Sequence, residues 1–205
     1  MAPGNTIASL KKALALGVDI VEFDVHVTAD DVAILNHNAT IMDVEGDKHP
    51  IALSEYKNLK NYKPSLATLD QALDVVDGTV PAYIEVKLGV DVEPVVRILE
   101  SYKHKYFLGS KSQRTLIELD DRLPNIQKIV IETWSGVRAS RRARQLNTRL
   151  VCMYQLFLWS GFIIAMKHSG YELYAYTVNN PRKARQWAKY GLAGVVTDYP
   201  DRFKN

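Results

Sequence analysis

From Pro81 onward the sequence repeats one pattern, a short apolar run of extended type followed by a stretch with apolar residues at helical spacing. Tyr83 to Lys87 is followed by a helix from about Val92 to Tyr102, Tyr106 to Gly109 by one from Ser112 to Leu123, and Lys128 to Glu132 by one from Ser135 to Leu146. Leu150 to Tyr154 leads into the apolar segment Leu156 to His168, and Leu173 to Val178 into a helix that begins near Pro181 and is ended by Gly191. Gly194 to Asp198 is a last strand. Strands alternating with helices at this spacing predict a parallel sheet with crossover helices, and so many units in one chain predict an α/β fold, a TIM-type (β/α)8 barrel. With a strand at Ile20, seven of the eight strands are found, and the first is missing because the chain starts with a helix.

That first helix is capped by Asn5 or Thr6, carries Ile7, Leu10 and Leu14 at helical spacing, and ends at Gly17. A polar, irregular region at about 38–67 is inserted later, with a possible helical turn at Ser54 to Leu59. Thr68 then caps a helix that sets Leu69, Ala72, Leu73 and Val76 on one face, and Gly78 closes it. A chain of 205 residues, 47% hydrophobic and 24% charged, predicts one domain over residues 1–205. Its 26 basic and 23 acidic residues leave a net charge of +3, too little to predict a nucleic-acid partner or a charged membrane surface from bulk electrostatics. One cysteine, Cys152, excludes an intrachain disulfide and suits a reducing compartment, so a cytoplasmic location is expected. No apolar run is long enough to span a bilayer, and no leader is visible.

The chemistry concentrates between Val18 and Asn38. Ile20, Glu22 and Asp24 alternate with Val21, Phe23 and Val25, so in a strand the two acids share one face. Thr28 to Asp31 turns the chain, and Val32 to Leu35 delivers Asn36, His37 and Asn38 back beside the acids. Glu85 and Lys87 repeat the same spacing on the next barrel strand. Side chains near the C-terminal ends of barrel strands face the active site, so three carboxylates and an ammonium converge at one mouth. Three such charges repel unless a cation sits among them, and an all-oxygen set favours Mg²⁺ or Ca²⁺. Glu22, Asp24 and Glu85 are therefore the candidate metal ligands, Lys87 the substrate-binding group for a phosphate oxygen, and His37 the catalytic proton-transfer residue.

The runs VDIVEFDVHVTADDVAILNHN, AYIEVK, YAYTVNNP and GVVTDYP, in this order, resemble the glycerophosphodiester phosphodiesterase family across essentially the whole chain. The resemblance implies a metal-dependent barrel enzyme that hydrolyses glycerophosphodiesters, small-molecule substrates, to glycerol 3-phosphate and an alcohol. It assigns the metal to Glu22, Asp24 and Glu85, one catalytic histidine to His37 and the phosphate neighbour to Lys87. The family's first strand ends in His-Arg-Gly and precedes a Pro-Glu-Asn-Thr segment. Here Pro3, Gly4, Asn5 and Thr6 match the latter with Gly for Glu, and the strand with its histidine is absent. Asn38 stands where Asp is usual, and Tyr176 where Trp is common. A truncated, slow enzyme is the expectation, with exposed barrel edges open to pairing with a second copy; a non-catalytic relative that binds metal or phosphodiester, or a lysophospholipase D-like enzyme, are the alternatives.

Other conspicuous residues read as structural. Arg138, Arg141, Arg142 and Arg144 form a solvated helix face, and Phe157, Leu158, Trp159, Phe162 and Ile163 a buried crossover helix. His26, His49, His104 and His168 are expected at the surface or satisfied, and Tyr176 and Asn179 at the pocket rim.

Overall fold

The computed structural model describes residues 3–204. It opens on α1 (Ile7–Ala15), closed by a reciprocal cap in which Thr6 Oγ1 accepts the Ser9 backbone N–H at 3.1 Å and Ser9 Oγ accepts that of Thr6 at 3.2 Å. Such a cap satisfies donors that the helix leaves unpaired and contributes about 1 kcal/mol. Gly17 ends the helix at a φ of 66°, a conformation that side chains with a Cβ resist. From there β1 (Val21–Val27) runs outward and returns as the antiparallel β2 (Ala33–Leu35), with Val25 opposite Leu35.

The inserted region is more ordered than its sequence predicts. It holds a hairpin of β3 (Thr40–Met42) and β4 (Lys48–Pro50), then α2 (Tyr56–Tyr62), around a small core of Ile34, Ile41, Ile51, Leu59 and Leu66. Each short element contributes one or two apolar residues, too few to register as periodicity. After α3 (Leu69–Val76) come β5 (Ala82–Val86), α4 (Glu93–Ser101), β6 (Tyr106–Ser110), α5 (Gln113–Arg122), β7 (Lys128–Glu132) and α6 (Gly136–Gln145). The chain continues through β8 (Leu150–Tyr154), α7 (Ser160–His168), β9 (Glu172–Tyr176), α8 (Pro181–Ala188) and β10 (Gly194–Val195).

The sheet order is β10-β9-β8-β7-β6-β5-β1-β2, parallel throughout except at β2. This is a TIM-like α/β arrangement with two free ends. The seven parallel strands among the described residues curl enough for residues of β1 and β10 to line one cavity, but the sheet does not close. On its outer face Phe23, Val25, Ile84 and Leu108 pack with α1, α3 and α4, and Val130, Val151 and Leu173 with α6 and α7. Each buried side chain of this size contributes about 1.5–3 kcal/mol relative to exposure. On the inner face Tyr83, Ile129, Ile131, Leu150 and Cys152 form a smaller cluster.

Two sequence expectations are corrected here. Arg142 does not belong to a solvated face: it is buried against the sheet and donates to the carbonyls of Ile131 at 2.8 Å and Ser110 at 3.1 Å. Together with Arg138 it neutralises the buried Glu132 carboxylate, so an acid under α6 draws in the arginine that helix periodicity places there. The segment after β8 is likewise only half buried, with Leu158 and Ile163 in the core and Phe157 and Trp159 exposed. Arg142→Leu should therefore lower unfolding stability by about 3 kcal/mol, because it leaves two carbonyls and part of a buried charge unpaired. Arg144→Leu, on the exposed side of the same helix, should change it by less than about 0.5 kcal/mol. Urea titration of both variants checks the contrast, and equal losses would return Arg142 to the solvated face.

Candidate active site

The site is built where β1 lies beside β5. Their register sets Asp24 directly against Glu85, and the alternation of the two strands turns Glu22, Asp24, Tyr83 and Glu85 to the inner face. Carboxylate oxygens of Glu22, Asp24 and Glu85 lie within 4.8 Å of one another. Lys87 follows the end of β5 and reaches back among them, its Nζ donating to Asp24 Oδ1 at 2.7 Å and Glu85 Oε1 at 2.9 Å. All four sequence-assigned residues of the charged set are thus in one cluster.

The electrostatics follow from burial and crowding. Burial, followed by the neighbouring Asp24 and Glu85 charges, raises the Glu22 carboxyl well above the usual carboxylate range. Burial alone would lower the Lys87 ammonium, but Glu85 and Asp24 overcome it and hold Lys87 above its ordinary value. Lys87 is charged, and it offsets part of the repulsion among three crowded carboxylates, of which Asp24 is buried.

His37 stands on the loop after β2, exposed, and lines the same cavity as the carboxylates. Its Nδ1 lies 3.0 Å from Asn38 Oδ1. An amide oxygen only accepts, so this contact places the ring proton on Nδ1 and leaves Nε2 as the basic nitrogen. Asn36, just before it, is buried and fixed by Lys63, whose Nζ donates to Asn36 Oδ1 at 2.8 Å.

Three contributions escaped sequence reasoning. Asn5, at a φ of 56°, accepts the Asp24 backbone N–H at 2.8 Å and donates through Nδ2 to Asp24 Oδ2 at 2.8 Å. It thereby occupies one rung of the open edge of β1 and aims the carboxylate; the one available signal was its place in the Pro-Gly-Asn-Thr segment. His26 is not a surface residue: it is buried on the inward-facing side of β1, its Nε2 has no partner among the described residues, and burial lowers its imidazole from the ordinary value. Its spacing of two from Asp24 carried that information. Tyr83 lines the cavity beneath Glu85, in space that Gly109 leaves free, since a Cβ there would collide with the Tyr83 ring. Asn179, expected at the rim, holds Thr197 and Asp198 of the last loop through hydrogen bonds of 2.9 Å.

The cavity measures about 1200 Å³ and is walled by Phe107 beside Tyr83 and, further round the sheet, by Ile131, Tyr174 and Tyr176. A cluster of acids at one wall, His37 at the rim, the ammonium groups of Lys63 and Lys111 along the lining and aromatic surface round the sheet can hold a phosphate ester.

Known proteins resemble this chain along most of its length. A glycerophosphodiester phosphodiesterase of Caldanaerobacter subterraneus is 22% identical over 222 residues, covering 99% of this chain and 91% of the relative. A lysophospholipase D of Rattus norvegicus is 19% identical over 252 residues, covering 98% and 80%. The fold is shared with a phosphodiesterase of Oleispira antarctica solved with sn-glycerol 3-phosphate, at a TM-score of 0.86 and 20% identity over 97% of this chain and 89% of that one. The model of the glycerophosphoryl diester phosphodiesterase family matches residues 1–161 and 144–202, which together take in nearly the whole sequence, and the chain belongs to that family.

Proposed function

We propose that this protein hydrolyses glycerophosphodiesters to glycerol 3-phosphate and an alcohol with the help of a divalent cation, Mg²⁺ or Ca²⁺. The observation that carries the reading is the convergence of Glu22, Asp24 and Glu85 within 4.8 Å on one wall of the cavity that His37 lines. The donor set fits a hard cation, being three carboxylates without sulfur or imidazole. These three residues would hold the ion, which when bound supplies Lewis-acid polarisation of a phosphoryl oxygen.

The chain's own residues do the rest. Lys87 presents an ammonium to the substrate's second phosphoryl oxygen and keeps the acid cluster from repelling an anionic ester. Asn5 fixes the Asp24 carboxylate, so that group is oriented before substrate arrives. His37 Nε2 takes the proton of the water that attacks phosphorus, and the bond from phosphorus to the alcohol oxygen breaks. Among the described residues His37 is the histidine that lines the cavity, and it also returns the proton to the leaving alkoxide.

The size of the cavity and its aromatic lining favour a second substrate within the same chemistry, a lysophospholipid cleaved as by a lysophospholipase D.

Two outcomes test the assignments. Calorimetric titration with Mg²⁺ and Ca²⁺ should reveal one site, weakened about tenfold or more in Glu85→Gln, because charge count dominates the affinity of oxygen sites. Unchanged affinity would remove Glu85 from the ligand set. His37→Ala should lower glycerophosphodiester turnover by roughly a hundredfold or more while metal affinity stays at the parent value. If both proteins turned over at the same rate, proton transfer would belong elsewhere, with His26 the next residue to vary.

A further inference from the structure

The C-terminal mouth of the barrel is chemically lopsided. Four consecutive loops follow β6, β7, β8 and β9, which are neighbours in the sheet and form one side of the rim. On two of them, after β7 and β8, and on the first turn of α6, Trp134, Val137, Leu156, Phe157 and Trp159 are 64%, 83%, 70%, 45% and 65% exposed. Exposed apolar residues also stand elsewhere, at Leu88 and at Met42, Val44 and Leu53, but these five, two of them tryptophans, fall on two adjacent loops and mark an interaction surface. They form a connected patch, because Phe162 of α7 lies against Gly136, where a Cβ would collide with its ring, and so joins the loop bearing Trp134 and Val137 to the one bearing Leu156 to Trp159. Leu158 and Ile163, buried beneath, anchor the second loop so that its neighbours are held outward.

The charges on the same loops have one sign. Lys111, Arg138 and Arg182 are exposed, whereas the acid of this side, Glu132, is buried and shared between Arg138 and Arg142. By contrast the loop after β5 exposes Asp91, while Asp198 of the loop after β10 is bonded to Asn179 at the end of this side. The patch also continues into the cavity: Phe157 packs near Tyr154 with ring centroids 6.4 Å apart, Tyr154 lies 5.6 Å from Tyr176, and Tyr176 lines the cavity wall.

We propose that this rim seats the mouth of the barrel on an anionic lipid surface, from which a single-chain glycerophosphodiester lipid enters the cavity past Phe157, Tyr154 and Tyr176. Tryptophan and basic residues beside exposed aliphatic side chains are the composition that a headgroup layer accepts: the rings settle at the boundary and the cations meet lipid phosphates. A second copy is disfavoured as the occupant, since face-to-face pairing would bring Lys111, Arg138 and Arg182 against their own equivalents. The net charge of the whole chain conceals this surface, because most of the acids lie on the helices and strands. Docking stands on the rim alone, whereas the identity of the lipid rests on the phosphodiesterase reading.

The test uses the intact chain and vesicles of phosphatidylcholine alone or mixed with an equal share of phosphatidylglycerol. Cosedimentation should show binding to the mixed vesicles that weakens as salt rises. Trp134→Ser combined with Trp159→Ser should lower partitioning about tenfold, and Arg182→Glu should lower it by a similar factor on the mixed vesicles only. The double variant should keep the parent rate on soluble glycerophosphocholine and lose rate on lysophosphatidylglycerol held in vesicles. Absence of vesicle binding in the parent, or unchanged binding in the double variant, overturns the proposal, as does a tryptophan-dependent dimer that ignores vesicles. Vesicle binding by a parent that cleaves neither substrate supports the docking surface and overturns the hydrolytic reading instead.

Discussion

Everything at the mouth of this barrel depends on one contact, the Lys87 ammonium held between Asp24 and Glu85 at 2.7 and 2.9 Å. Removing an acid or a base from water costs several kcal/mol per ion, and the loss is offset only when partners and hydrogen bonds are in place. Here the partners come from adjacent strands, and the β1 to β5 register supplies the alignment. A shift of one residue between those strands would turn one set of charges into the helix layer and leave the other unpaired. The outer packing of Phe23, Val25, Ile84 and Val86 therefore does more than stabilise the fold, since it locks the register on which the charge cluster rests.

The open edge has its own compensation. A parallel sheet that stops short of closure leaves backbone donors and acceptors along its ends, and an unsatisfied buried group of this kind costs about 1–3 kcal/mol. At Asp24 the Asn5 side chain takes the position of a strand partner and bonds the carboxylate as well. One residue thus serves the sheet and the site together. The cavity extends along this gap, from Leu10 and Leu16 of the α1 region to Val195 and Phe203, which accounts for its size compared with a barrel interior filled by side chains.

How much of this could be read in the sequence depends on how local each determinant is. The alternating units from Tyr83 onward were legible because their strands and helices carry their own hydrophobic periods, and three of the helices also their own caps, Ser112, Ser135 and Asn180. The grouping of Glu22, Asp24, Glu85 and Lys87 was legible because a period of two and a shared strand end define a face without coordinates. The burial of His26 and Arg142 was not taken from the pattern, although both sit at the right period. A polar residue at a core position reads as surface until the partner that satisfies it is known, and the acid that draws Arg142 inward comes from the preceding strand. The small core of the inserted region was hidden for a different reason: Ile41, Ile51, Leu59 and Leu66 meet from four separate short segments.

The central claim is that this cluster supports attack on phosphorus. Hydrolysis of a glycerophosphodiester in ¹⁸O-enriched water, followed by ³¹P NMR and mass analysis of both products, tests it most directly. The account predicts that the label enters the glycerol phosphate and is absent from the released alcohol, because the bond broken is the one between phosphorus and oxygen. Label in the alcohol, or no turnover with either Mg²⁺ or Ca²⁺ at saturation, would contradict it.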